Sequence, residues 1–251
     1  MDKPKVIVYQ TASLDGRLSV SADKLLLYGD ERWTAAAGQG NNVWELVKWT
    51  HQPQATLEGS GSFIREGDVP EPLPAVEGDT SHLYLDFLPE QILNRPGHKG
   101  WFTVVDSRGR VRWYYKEFPD PAWEGWYLLV LVCRSTPPEY LAYLQREDIP
   151  YLVAGEERVD LRQAFEKMCS TLEVSSIIST AGGKLNGVLL RTGLIDEVNV
   201  EVFPALIGGE SNAVLFDSPD LKEEENPLKL ELITANIQPD GRIWLRYRAV
   251  K

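Results

Sequence analysis

Residues 177–186 read Ile-Ile-Ser-Thr-Ala-Gly-Gly-Lys-Leu-Asn, and the reading of this stretch decides the fold. Two branched apolar residues that give way to small polar ones predict the end of a strand, Val174–Ile178. The diglycine Gly182-Gly183 then leads into Lys184–Arg191, which has the spacing of a helix. Glycine lets the backbone come close to a ligand, and the first N–H groups of a helix offer partial positive charge to a phosphate. Lys184 adds a full charge at that end. Taken alone, a diglycine is more often only a tight strand-to-helix turn, so the neighbouring elements must decide.

Working outward, Val174–Ile178 follows a helix capped by Asp160, with Leu161, Ala164, Phe165 and Met168 on one face. Tyr151–Val153 is a short strand. Tyr127–Val132 is a continuous apolar run, the pattern of a strand covered on both faces, and Pro137-Pro138 open a helix that runs to Arg146. Toward the C-terminus, Glu197–Val202 is a strand, and two longer ones, about 229–237 and 242–250, turn at Pro239-Asp240-Gly241. Nearer the N-terminus, Val6–Tyr9 is a buried strand followed by a loop with Asp15-Gly16. Asn41-Asn42 cap a helix that Pro53 stops, and Ala55–Glu58 is a second strand before Gly59-Ser60-Gly61. Trp101–Val105 and Val111–Tyr115 flank Asp106–Gly109 as a hairpin. Trp113, Tyr114, Tyr115, Trp123 and Trp126 are read as packing residues. The alternation implies an α/β fold with a mostly parallel central sheet, flanking helices and an antiparallel C-terminal hairpin. One domain over 1–251 is expected, with 66–80 a loop and 75–100 an insertion.

Composition narrows the function. The chain has 251 residues and a net charge of −11, which argues against the basic footprint that nucleic acid requires. The apolar run at Val6–Tyr9 is too short for a secretory signal, and no stretch reaches the ~20 apolar residues of a membrane span. Cys133 and Cys169 suit a reducing, cytoplasmic compartment rather than a disulfide framework. His51, His82 and His98 are scattered, so no metal site is expected. Chemistry is concentrated in four Gly- and Ser-rich loops after strands: Thr11–Arg17, Gly59–Ser62 with Glu66 beyond it, Val104–Ser107, and Thr180–Lys184. Such loops form the ligand crevice of an open α/β sheet, although no strict GxGxxG is present.

Ala12–Arg17, Val104–Ser107, and Gly182-Gly183 leading to Gly193–Val198, Pro204 and Gly208-Gly209 together resemble the reductase domain of riboflavin biosynthesis. That domain is the C-terminal half of bifunctional deaminase–reductases, with a dihydrofolate-reductase-like fold. The resemblance spans nearly the whole chain in order. It implies an NADPH-dependent oxidoreductase, usually a homodimer, that reduces the ribose of a phosphoribosylaminopyrimidine. Cofactor contacts would fall on Ala12, Trp33, Ser62, Glu66, Ser107, and Gly182, Gly183, Lys184, Leu185, Asn186 and Gly187, on to Leu189. Ser62 stands where the family has Thr, and Glu66 where it has Asp. Asp15 and Glu66 would lie nearest the nicotinamide, as proton relays or hydrogen-bonding groups. For a 2′-phosphate the cations and hydroxyls at hand are Arg108, Arg110, Arg134 and Ser135.

The substrate side departs from the family. Ala181 replaces a Glu, Thr50 and the Val69–Leu73 segment lack two arginines, and Glu31 replaces a Ser. Without those arginines a substrate phosphate loses its bidentate donors. The expectation is therefore a reductase of another small molecule. The riboflavin step itself, with phosphate held by Arg17 or Lys184, and a nucleotide-binding protein without turnover stay open. One further expectation can be checked against the fold: Gly183→Val should block a nucleotide without unfolding the chain.

Overall fold

A computed structural model describes residues 3–22, 30–37, 43–64, 70–118 and 121–251. In chain order its main elements are β1 (Lys5–Ser13), α1 (Glu31–Ala37), α2 (Val43–His51), β2 (Ala55–Gly59), α3 (Glu90–Leu93), β3 (Gly100–Val105), β4 (Trp126–Val132), α4 (Pro138–Arg146), β5 (Tyr151–Val153), α5 (Leu161–Leu172), β6 (Ser176–Ser179), α6 (Gly183–Arg191), β7 (Glu197–Phe203), β8 (Leu230–Ile237) and β9 (Ile243–Ala249). They divide between two compact units, one built on Gln54–Ser175 and the other on Lys5–Pro53 with Ser176–Lys251.

In the Gln54–Ser175 unit the strands run in the order β5-β4-β3-β2, and every pairing is parallel. β4 lies inside this array, and all seven of its residues are buried, as its unbroken apolar run implies. Leu128, Leu129 and Leu131 are fully buried, each worth ~1.5–3 kcal/mol relative to exposure. Tyr140, Leu141 and Leu144 of α4 pack onto the same core. Asp160 accepts from the backbone N–H groups of Arg162 and Gln163 and so caps α5.

The expected hairpin partner at Val111–Tyr115 is not a strand. β3 already pairs with β2 on one side and β4 on the other, so no ladder edge is free for it. Instead the Asp106 carboxylate turns the chain by accepting from the N–H groups of Arg110 and Val111. Trp113 then anchors to the hydroxyls of Tyr143 and Tyr140. Trp113, Trp123 and Trp126 pack as expected, whereas Tyr114 and Tyr115 are exposed at 89% and 56%. Within 75–100, the stretch around Leu83–Phe87 covers the open edge of β5. Phe87 and Tyr151 exchange two backbone hydrogen bonds of 2.9 Å, Tyr151 donates its hydroxyl to Leu83, and Asp86 accepts from the N–H of Val153. An edge strand left bare would invite pairing with another chain.

In the second unit the order is β6-β1-β7-β9-β8. β6, β1 and β7 are parallel, and β9 and β8 form the antiparallel closing hairpin, turning where Gly241 takes a φ of 85°. Ile7, Tyr9 and Ile178 pack under Val43 and Val47 of α2. The expected cap at Asn41-Asn42 lies outside the described residues. Among those described, no helix is long and apolar enough to cross a membrane, and no group of three or more His, Cys, Asp or Glu could hold a metal ion.

Candidate functional site

In the second unit three parallel strands, β6, β1 and β7, end side by side, and their carboxyl-end loops form one constellation. β6 passes through Thr180-Ala181-Gly182 into α6, whose N-cap is Gly182. The turn is fixed by Asn186, which is fully buried, accepts from Ser179 Oγ at 2.8 Å and donates to the Ala181 carbonyl at 2.8 Å. Gln10 of β1 donates to the same carbonyl. The Asn186 side chain is thus spent on the turn.

The three glycines at this helix start divide into two kinds. A Cβ at Gly183 would stand 2.0 Å from the Val214 carbonyl oxygen, and one at Gly187 2.0 Å from that of Asp217. The N–H of Asp217 also donates to the Gly183 carbonyl. These glycines therefore exist so that the 214–218 segment can lie against α6. A Cβ at Gly182 meets nothing within 4 Å, and Gly182 and Lys184 are exposed. The open approach to the helix start is at Gly182 and Lys184. This corrects the expectation for Gly183→Val, which collides with the fold itself before any ligand arrives. Leu185 is half-buried.

Asp15 follows β1 in a tight turn in which Gly16 has φ 75°. Its carboxylate accepts from Ser13 Oγ at 2.6 Å and from the N–H groups of Ile207 at 3.1 Å and Gly208 at 2.7 Å, with Arg17 Nε 3.9 Å away. The Ser13 hydroxyl, followed by the Gly208 and Ile207 amides, outweighs the opposing effect of desolvation and brings its pKa down to about 2. A carboxylate so held is ionised at neutral pH, so it suits hydrogen bonding rather than proton donation. Ala12 is fully buried in β1. Trp33 is buried at 4% exposure and lies tilted against Phe203, ring centroids 5.1 Å apart, packed with Val20, Ala205 and Ile207.

In the other unit Ser62 is exposed in a 3₁₀ turn after β2, and a Cβ at Gly59 or Gly61 would meet open space. Glu66 lies outside the described residues. Ser107 follows β3, where its hydroxyl accepts from the N–H of Val159 at 3.1 Å and its carbonyl from Thr136 at 2.9 Å. Arg108, Arg134 and Ser135 are exposed in the loops after β3 and β4. Arg134 lies 3.5 Å from Glu156, and Arg110 donates to Ser60 Oγ at 3.4 Å.

At the departing positions Ala181 is fully buried, Thr50 is exposed and returns its hydroxyl to the Leu46 carbonyl, and Glu31 is exposed in the first turn of α1. Sequence reasoning missed Ser13, Gln10 and the 214–218 segment. Ser and Gln are too common in strands to single out. Nothing local to 214–218 says that it crosses α6.

The chain matches the family model described as the RibD C-terminal domain over residues 4–243. It is 32% identical over 137 residues to the 2,5-diamino-6-ribosylamino-4(3H)-pyrimidinone 5′-phosphate reductase of Methanothermobacter thermautotrophicus, an alignment covering 55% of this chain and 61% of that protein. With the Aquifex aeolicus protein of the same name it shares 22% over 239 residues, 92% of this chain and 91% of the other. Among solved structures, a pyrimidine reductase-like protein from Corynebacterium diphtheriae superposes with TM-score 0.64 at 16% identity, covering 99% of this chain and 92% of that one. Acinetobacter baumannii RibD gives TM-score 0.59 at 20% identity, covering 99% of this chain and 58% of that one. At these identities the structural likenesses speak for the fold.

Proposed function

The chain belongs to the RibD C-terminal domain family, and from that premise we propose that it is an NADPH-dependent reductase of a small molecule other than the phosphoribosylaminopyrimidine of its relatives. We take it as one reductase domain, working as a cytoplasmic homodimer. The observation that carries the cofactor assignment is the start of α6. There Gly182 opens onto free space beside exposed Lys184, and a helix start with a lysine beside it favours an anion. When bound, the reduced nicotinamide supplies the hydride. The chain's own residues position it: Asn186 and Gln10 hold the Ala181 carbonyl and hence the Gly182 turn. In their own unit, Arg108, Arg134 and Ser135 present cation and hydroxyl groups of the kind a 2′-phosphate takes, which is the ground for NADPH over NADH. Asp15, held ionised, orients and does not donate.

The substrate reading rests on Ala181, Thr50 and Glu31. A methyl, a hydroxyl returned to its own helix, and an exposed acid offer a phosphate nothing. The riboflavin step itself is the second reading, favoured by the names of the relatives at 32% and 22% identity. NADPH oxidation by the purified protein separates the two. We expect negligible turnover of the ribosylaminopyrimidine 5′-phosphate and measurable turnover within a panel of unphosphorylated cyclic imines and carbonyls. Rapid turnover of the phosphate ester would establish the second reading. NADPH binding with no turnover across both sets would point to a nucleotide-binding protein that is not an enzyme.

A further inference from the structure

Two loops of the Lys5–Pro53/Ser176–Lys251 unit are joined more firmly than a turn requires. After β1, Ser13 and Arg17 close a tight turn, Ser13 N–H donating to the Arg17 carbonyl at 3.1 Å and Arg17 N–H to Ser13 Oγ at 3.0 Å. After β7, the chain passes Leu206 and enters the left-handed region at Gly208 and Gly209, with φ 69° and 84°. The Asp15 carboxylate bridges the two by accepting from Ser13 Oγ and from the Ile207 and Gly208 amides. Leu14 N–H donates to the Ala205 carbonyl at 2.9 Å, and farther along Arg17 pairs with Val214. Ala205 and Ile207 pack inward against Trp33 and Phe203, whereas Leu14 is 64% exposed and Leu206 76% exposed.

A single exposed leucine needs no explanation. Two of them, on neighbouring loops fixed by shared hydrogen bonds at the carboxyl ends of parallel strands, stand where α/β proteins take their ligands. We propose that Asp15 is a positioning residue that fixes Leu14 and Leu206 as an apolar rim, and that this rim takes the planar ring of the substrate. The inference rests on the reductase reading and deepens it by naming residues that select a ring. Rigid support of this kind matters because an apolar contact contributes only when its geometry is held before the ligand arrives.

The test is calorimetric titration of 2,4-diaminopyrimidine into the protein, with and without saturating NADPH, on wild type, Leu14→Ser, Leu206→Ser, Asp15→Asn and Asp15→Ala. Ribose 5-phosphate serves as the ring-free control. Wild type should bind the ring and not the sugar phosphate. Each leucine variant should weaken the ring about tenfold, the equivalent of ~1.4 kcal/mol, with an unchanged melting temperature, since both side chains are exposed. Asp15→Ala should weaken the ring at least as much and speed hydrogen exchange at the Ile207 and Gly208 amides. Asp15→Asn, which keeps an acceptor oxygen, should lie between, and NADPH affinity should hold in the two leucine variants. A purely structural Asp15 would alter exchange and melting without altering ring affinity, and that result overturns the proposal. Equal ring affinity in the leucine variants, or no ring binding by wild type, overturns it too. Failure of NADPH to bind while the ring pattern holds would strike only the reductase reading.

Discussion

At the scale of single residues, the diglycine shows how a correct signal can carry a wrong division of labour. Ile177–Asn186 was legible as strand, turn and helix because each residue type there has a local reason: branched chains extend, glycines turn, and the run after them is helical. What the sequence could not reveal is that Gly183 and Gly187 are small because another part of the chain lies on them. That contact is made across about 30 positions, and no periodicity reports it. Gly183→Ala should therefore cost ~2–4 kcal/mol in urea unfolding, because a Cβ 2.0 Å from a backbone carbonyl cannot be accommodated without movement. Gly182→Ala, with φ −65° and nothing within 4 Å of its Cβ, should unfold within ~0.5 kcal/mol of wild type. Equal losses in the two variants would contradict this division.

At the scale of elements, most strands and the longer helices were readable, the short α1 and α3 were not, and the strand that failed has a topological cause. The hairpin expected at Val111–Tyr115 had suitable residues but no free edge, since β3 is paired on both sides. β7 was legible as a strand, yet its polar residues face inward. Glu197, Asn199 and Glu201 are buried at 3%, 0% and 2% exposure and meet Arg246 and Trp244 of β9 and Arg242 just before it. Partners more than forty positions away leave no trace in a local pattern. Where the signal was local it sufficed, as with the Asp160 cap of α5. Asp160→Ala should lower stability by ~1 kcal/mol in urea unfolding by removing the acceptor for the Arg162 and Gln163 amides. An unchanged midpoint would show that the cap is redundant.

At the scale of the whole molecule, acid stability should follow the buried carboxylate of Glu197. Burial pushes this group up, but the His51 imidazole 3.2 Å away and the bonds from Lys5 and Arg246 outweigh it and hold the carboxyl well below its ordinary 4.5. A group depressed in the folded state stabilises the protein above its unfolded pKa, and that contribution fades as pH falls below it. Glu197→Gln should thus cost ~3 kcal/mol at pH 7, because it leaves Lys5 and Arg246 without their counter-charge. The deficit should shrink steadily below about pH 4.5. A deficit of the same size at pH 7 and pH 3 would mean that packing, not charge, is what the substitution removes.

NADPH binding as proposed requires that the start of α6 hold an anion. Thermal unfolding of wild type and Gly182→Asp, each with and without NADPH, tests it most directly. Aspartate is a favoured N-cap residue, and the Gly182 Cβ direction is open, so the variant should fold at least as stably as wild type while its charge repels a pyrophosphate. At 100 times the dissociation constant NADPH should stabilise wild type by ~2.7 kcal/mol and leave Gly182→Asp unmoved. No shift in wild type, or the same shift in both, would contradict it.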